Sequence, residues 1–245
     1  MRVIGTIILV MLTTIFCFNA SDLPVIGDPN SSPNSHVTPH YIEYSEEDTG
    51  SPNIVTGTLA DYRGFDTLWE TSVMFVAGMT AVIILTKDKE EKFLKKKYGS
   101  PILDSSFRII TPFTLIYGVY VFLNGEISPG GGFQAGALLA VGVVLSRLII
   151  GADNTTYNVT GRRAVILAGV GTFIYALTGW VTMLRGGKFL DYGYLPFAIG
   201  SHGGEILPAL HATGITFIEI GVTICVMMTI IDILDVVVER TDTHD

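Results

Sequence analysis

Glu219 is the residue of this chain best placed to do chemistry, because it stands inside a long apolar run that begins around Pro208. Ala212, Thr216, Glu219 and Thr223 recur at helical spacing, which sets one carboxylate on a hydroxyl-lined stripe. An ionised carboxylate at the centre of a bilayer costs at least ~2.5 kcal/mol, so it faces protein, water or a counter-charge. Such a group either carries a proton or helps coordinate a cation, with Thr216 and Thr223 supplying oxygens, or it only locks helices together by hydrogen bonding. Glu70 poses the same question nearer the end of another apolar run. With Met74, Ala77 or Gly78, and Ala81 it forms a face of small residues beneath one carboxylate, a face expected to pack on a neighbouring helix. His211 precedes Glu219 by eight residues, roughly 80° round and about 12 Å along a helix, so a proton path between them needs water or another helix. Glu126, His202 and Glu205 fall in connecting loops, where they are solvated unless they line an ion entrance.

These groups need elements to hold them, and the sharpest boundary is Glu126-Ile-Ser-Pro129-Gly130-Gly131-Gly132-Phe-Gln134-Ala-Gly136. Three glycines and a proline cannot sustain a helix interior, so the apolar run before them ends and helix resumes near Gln134. Ser128 followed by Pro129 is a helix-start signal, and the glycines permit close backbone approach by a helix or an ion.

The chain has 245 residues, of which 49% are hydrophobic and 16% charged, with a mean hydropathy of +0.49. That balance is too apolar for a soluble domain and predicts an all-α integral membrane protein. Apolar runs at 3–18, 68–86, 107–124, 134–150, 164–184 and 208–234 give about six transmembrane helices. Small or hydroxyl faces are expected on three of them: Thr114, Tyr117 and Asn124; Gly136, Ala140 and Val143; and Tyr175, Thr178 and Thr182. Arg147, near the end of the fourth run, is expected to snorkel. The net charge of −8, with basic residues concentrated in short loops, argues against a nucleic-acid partner. Cys17 and Cys225 lie in apolar runs without ligand spacing and read as small buried residues. His36 and His40 lack the further ligands of a metal site, and neither metal nor cofactor is expected.

Four segments follow: residues 1–20 as a retained first helix, 21–60 as a polar external segment without sustained helical period, 61–97 as a helix with a basic loop, and 98–245 as a four-helix membrane domain. With the N-terminus cytoplasmic, 12 of the 15 basic residues fall inside, which sets both termini in the cytoplasm.

Pro129-Gly-Gly-Gly-Phe-Gln-Ala-Gly136 between two membrane helices, followed by a late helix reading Phe217-Ile-Glu219-Ile-Gly221-Val222, resembles the B subunit of the multisubunit Mrp-type sodium/proton antiporters over roughly residues 104–236. Upstream, Asp61-Tyr-Arg-Gly-Phe-Asp-Thr-Leu-Trp-Glu70 resembles the C-terminal end of the large A subunit of those antiporters, or the small E subunit of the related membrane-bound hydrogenases. The family helix often has Asp where this chain has Glu219. The resemblance implies that the last four helices form a B-type bundle, that the partners are other membrane subunits, and that Na⁺ and H⁺ are the ions moved. It implies a subunit that is not itself an enzyme, in a prokaryotic cell membrane. The fusion of two neighbouring family pieces points to the membrane arm of a hydrogenase or sulfane-sulfur reductase complex. A stand-alone antiporter and a purely structural scaffold are the alternatives.

Overall fold

The computed structural model describes residues 2–20, 22–85, 100–150, 159, 161–199 and 205–242. The Lys-rich loop at 87–97 and His202 lie outside the described residues. The chain divides into two compact units, residues 1–43 and 44–245. The first contains α1 (Arg2–Ala20) and the start of α2 (Thr38–Thr49). Cys17 on α1 is exposed, contrary to its expected burial, because the apolar side chains along that helix are themselves exposed.

The second unit continues through α2, a single turn α3 (Ile54–Thr56), a wider π-helical turn at Gly57–Tyr62, and then α4 (Gly64–Leu85), α5 (Pro101–Leu123), α6 (Gly132–Ile150), α7 (Arg162–Leu184) and α8 (Ile206–Asp242). Among the described residues six helices are long and apolar enough to cross a membrane: Val3–Ala20, Gly64–Leu85, Pro101–Leu123, Gly132–Ile149, Arg162–Leu184 and Ile206–Val237. The expected all-α class and span number hold. α5 starts six residues earlier than its apolar run, since the Ser100 hydroxyl accepts the Leu103 N–H at 3.2 Å and Pro101 suits the first helical position. α8 runs past residue 234 because Asp232 and Asp235, which look like a helix end, are held inside the bundle.

α8 is the central post, with α4, α6 and α7 packed on it and α5 outside against α6. Lipid is as apolar as a leucine side chain, so such helices associate through close contact and hydrogen bonds. Small residues make the contact. A Cβ on Gly132 would stand 2.7 Å from the Glu219 carbonyl and one on Gly136 2.8 Å from that of Thr223. Gly171 and Gly221 bring α7 and α8 together the same way, each Cβ position falling 2.5–2.6 Å from the other's carbonyl. The expected faces of α6 and α7 are buried: Ala140, Val143, Tyr175, Thr178 and Thr182 all face the interior. That of α5 is not, since Tyr117 is exposed and Phe107, Thr111, Gly118 and Val121 point inward instead.

The 21–60 segment departs furthest from expectation. It carries α2 and α3, and much of its second half is buried: Thr49, Ser51, Thr56 and Ala60 have little or no exposure. Ser51, Asn53 and Thr56 hydrogen-bond to the backbone that precedes α6, so residues 45–60, whose composition reads as solvated, form a packed cap, while residues 22–43 are largely exposed as expected.

Candidate functional site

The glycine turn and the middle of α8 meet. Gly131 holds φ +106°, a conformation open to glycine and strained for other residues, and this reverses the chain into α6. Its missing side chain leaves room for Glu219: a Cβ on Gly131 would stand 2.8 Å from Glu219 Oε1, and one on Gly125 3.0 Å from Oε2. The carboxylate therefore lies directly against the backbone of the turn. Glu126 enters from that turn, where its Oε1 accepts a hydrogen bond from Thr216 Oγ1 at 2.9 Å. Glu126 follows Gly125, which lies against Glu219, and it bonds Thr216 three residues before Glu219 on α8, so both carboxylates enter one corner. Two ionised carboxylates in one corner repel, so a proton or a cation lowers the energy of the pair.

The cap segment fixes the turn from the other side. Asn53 Nδ2 donates to the carbonyls of Ser128 at 2.9 Å and Gly125 at 3.3 Å, and Thr56 Oγ1 donates to that of Gly125 at 2.6 Å. Ser51 Oγ and the Asn53 N–H both donate to the Glu126 carbonyl, at 3.1 Å each. Every backbone group so bound would otherwise be an orphan created by the glycine break.

A second polar contact lies a little over two turns above Glu219 on α8. His211 Nδ1 is 2.6 Å from Asp61 Oδ2, and the His211 ring meets Tyr192 edge to face with centroids 6.0 Å apart. Tyr192 Oη donates to the Ala60 carbonyl at 2.9 Å and Tyr175 Oη to that of Gly64 at 2.6 Å. Burial pushes the Tyr192 phenol well above its usual range, so it remains a neutral donor. Asp61 and its neighbours, the start of the Asp61-Tyr-Arg-Gly-Phe-Asp-Thr-Leu stretch, are thus pinned to α7 and α8.

Of the residues expected from the sequence, Glu219, Thr216 and His211 line this end of α8. Thr223 adjoins them, but its hydroxyl donates to the Glu219 carbonyl at 2.7 Å rather than to the carboxylate. Glu70 is exposed, because α4 turns Thr67, Thr71 and Gly78 inward and leaves Glu70 roughly 80° round from that face. Glu205 is exposed ahead of α8. In the turn, Gly130 packs against the Val121 carbonyl, whereas Pro129 and Gln134 are exposed. Arg147 does not snorkel: it is 1% exposed, pairs with Asp235 through Nη1, and donates from Nη2 to the Val159 carbonyl at 2.7 Å. Sequence reasoning missed Asp61 and Asp235, whose partners lie 150 and 88 positions away. No local pattern announces such pairs.

This architecture defines a multi-pass membrane helix bundle with a partly buried carboxylate beneath a glycine turn. Residues 102–232 match the model of the domain related to the MnhB subunit of Na⁺/H⁺ antiporters, and the chain belongs to that family. It is 29% identical to an uncharacterized protein of Methanocaldococcus jannaschii over 74% of this chain and 73% of that one. It is 26% identical to the B subunit of a Na⁺/H⁺ antiporter of Bacillus subtilis over 56% of this chain and 96% of that one. Among solved structures, a chain of the membrane-bound sulfane sulfur reductase, an archaeal respiratory membrane complex, matches with TM-score 0.67 and 28% identity, covering 96% of this chain and 97% of that chain. A chain of the Mrp complex from Dietzia sp. DQ12-45-1b shares the fold with TM-score 0.65 and 24% identity, over 96% of this chain and 26% of the other.

Proposed function

We propose that this protein is a non-catalytic membrane subunit of an antiporter-like, ion-translocating module in the membrane arm of a redox-driven respiratory complex of the sulfane sulfur reductase or hydrogenase kind. The observation that carries the reading is Glu219, held against the backbone of Gly131 within hydrogen-bonding surroundings that include Glu126 and Thr216. Glu219 exchanges a proton or takes part in Na⁺ coordination there, with Glu126 as the second carboxylate of the pair. The near end-to-end match to the sulfane sulfur reductase chain favours such a complex over a stand-alone antiporter. Residues 61–97 form an A-subunit-type end joined to a B-type bundle at 98–245, a reading supported by the Asp61–Glu70 stretch.

Exposed Phe65, Trp69, Val73 and Val76 on α4, and Ile109, Phe113 and Ile116 on α5, give the chain apolar faces for neighbouring subunits and lipid. A prokaryotic cell membrane with both termini in the cytoplasm accords with the division of basic residues. Single cysteines at Asn30 and Thr243 test this orientation: the first is labelled from outside and the second from inside, and labelling of both from one side refutes it.

The ion role is tested in vesicles containing the whole complex. Glu219→Gln preserves size and hydrogen bonding but removes titration, and it lowers ion-gradient formation several-fold while the complex still assembles. Glu219→Asp keeps part of the activity. A Gln complex that assembles and transports like the parent makes Glu219 a packing residue.

A further inference from the structure

A second polar site lies at the other end of the bundle, between α4, α7 and α8. Asp232 and Thr229 of α8 are each 4% exposed, and both Asp232 Oδ1 and Thr229 Oγ1 are buried without a hydrogen-bond partner among the described residues. Both side chains line one small cavity, walled by Gly78 and Met79 of α4 and Ala164 and Ala168 of α7. It has about 10 Å³ of room for the centre of a water molecule, the scale of one bound water.

Buried polar atoms are normally paired, and a carboxylate oxygen left bare in a membrane bundle is costly enough to require an explanation. Packing supplies one part of it. A Cβ on Gly78 would fall 2.2 Å from Thr229 Cγ2, so α4 packs closely on α8 beside this cavity. Charge supplies the other. Arg147 of α6 and Asp235 of α8 are the charged groups acting on Asp232, and they are paired with each other. No residue that α4 or α7 contributes to the cavity titrates. The ion pair cancels, so the cluster carries one net negative charge when Asp232 is ionised and none when it is protonated.

We propose that this cavity is a buried proton-binding site, in which Asp232 takes a proton from water at that end of the bundle and Thr229 with one bound water forms its hydrogen-bond shell. The step is a proton transfer from hydronium to the Asp232 carboxylate, giving the carboxylic acid and water. In the acid form the new O–H donates to the bound water, which donates on to Thr229. In the ionised form the water donates to Asp232 and accepts from the Thr229 hydroxyl. Sodium fits poorly, because the cavity offers one carboxylate, one hydroxyl and room for a single water, with phenylalanine, methionine and aliphatic walls. The site is separate from Glu219, thirteen residues or ~20 Å away along the same helix, so either assignment stands if the other fails.

Infrared difference spectroscopy of the purified complex against pH tests it. The parent shows the C=O stretch of a buried carboxylic acid that appears as pH falls. This band is lost in Asp232→Asn, shifts in Thr229→Val, where a hydrogen-bond partner is removed with little change of shape, and survives in Glu219→Gln. If Asp232→Asn does not assemble, Thr229→Val alone decides: a shifted band supports the site, an unshifted band overturns it. An assembled Asp232→Asn complex in which no carboxylic-acid component of the parent spectrum is lost, or a lost component that responds to Na⁺ and not to pH, also overturns it.

Discussion

Asp61 and His211 stand 150 positions apart in the chain, yet Asp61 Oδ2 and His211 Nδ1 are 2.6 Å apart in the folded protein. The contact ties the segment ahead of α4 to the first turns of α8. Both side chains are mostly buried, at 13% and 18% exposure, so neither can fall back on bulk water when its partner is removed. Asp61→Ala and His211→Ala should each lower the thermal stability of the complex, and the double variant should cost less than the sum, with a coupling of about 0.5–3 kcal/mol. Strict additivity in the melting of the four complexes would show that the two groups do not support one another.

Gly131 carries two constraints at once, its positive φ and the carboxylate beneath it. Gly131→Val adds backbone strain of about 1–3 kcal/mol and drives a side chain into the place of Glu219. It should abolish assembly or transport, whereas Gln134→Ala at an exposed position three residues on should leave both intact. Equal tolerance of the two changes, measured by recovery of the complex and by ion flux, would reduce the turn to a connector.

Arg147 is the most deeply buried cation among the described residues, and Asp235 is its counter-charge. Arg147→Met strands Asp235 in the bundle and should cost about 3–5 kcal/mol, enough to lose most of the complex. Changing both together, Arg147→Met with Asp235→Leu, removes the stranded charge and should recover most of the yield. A double variant no better than the single one would mean that the Arg147 contact to the Val159 carbonyl dominates.

The spans were legible because a membrane helix declares itself through twenty or so apolar residues, and the glycine turn because nothing helical can cross it. Glu219 was legible for the same reason that makes it costly: it is a carboxylate in an apolar run. Residues 44–62 were not. Asn53 and Thr56 look like ordinary loop residues, and only the folded chain shows their side chains holding the carbonyls of Gly125 and Ser128. Glu70 misled for the opposite reason. Of the face read with it, Met74 packs on the core and Gly78 meets Thr229 of α8, but Thr67 and Thr71 continue that face towards the start of α4, and Glu70 falls beside it, exposed.

The apolar stretch of α8, Ile206–Val237, has 32 residues and so measures ~48 Å at 1.5 Å per residue. A hydrocarbon layer of ~30 Å would cover that rod only if it leaned by about 50°, more than membrane helices usually lean. Its two extremities are the parts left bare, with Ile206 75%, Leu207 58% and Val237 41% exposed. Hydrophobic mismatch of this size calls for protein as well as lipid around those ends, so the length of one helix already sets a demand on the thickness of the assembly around it.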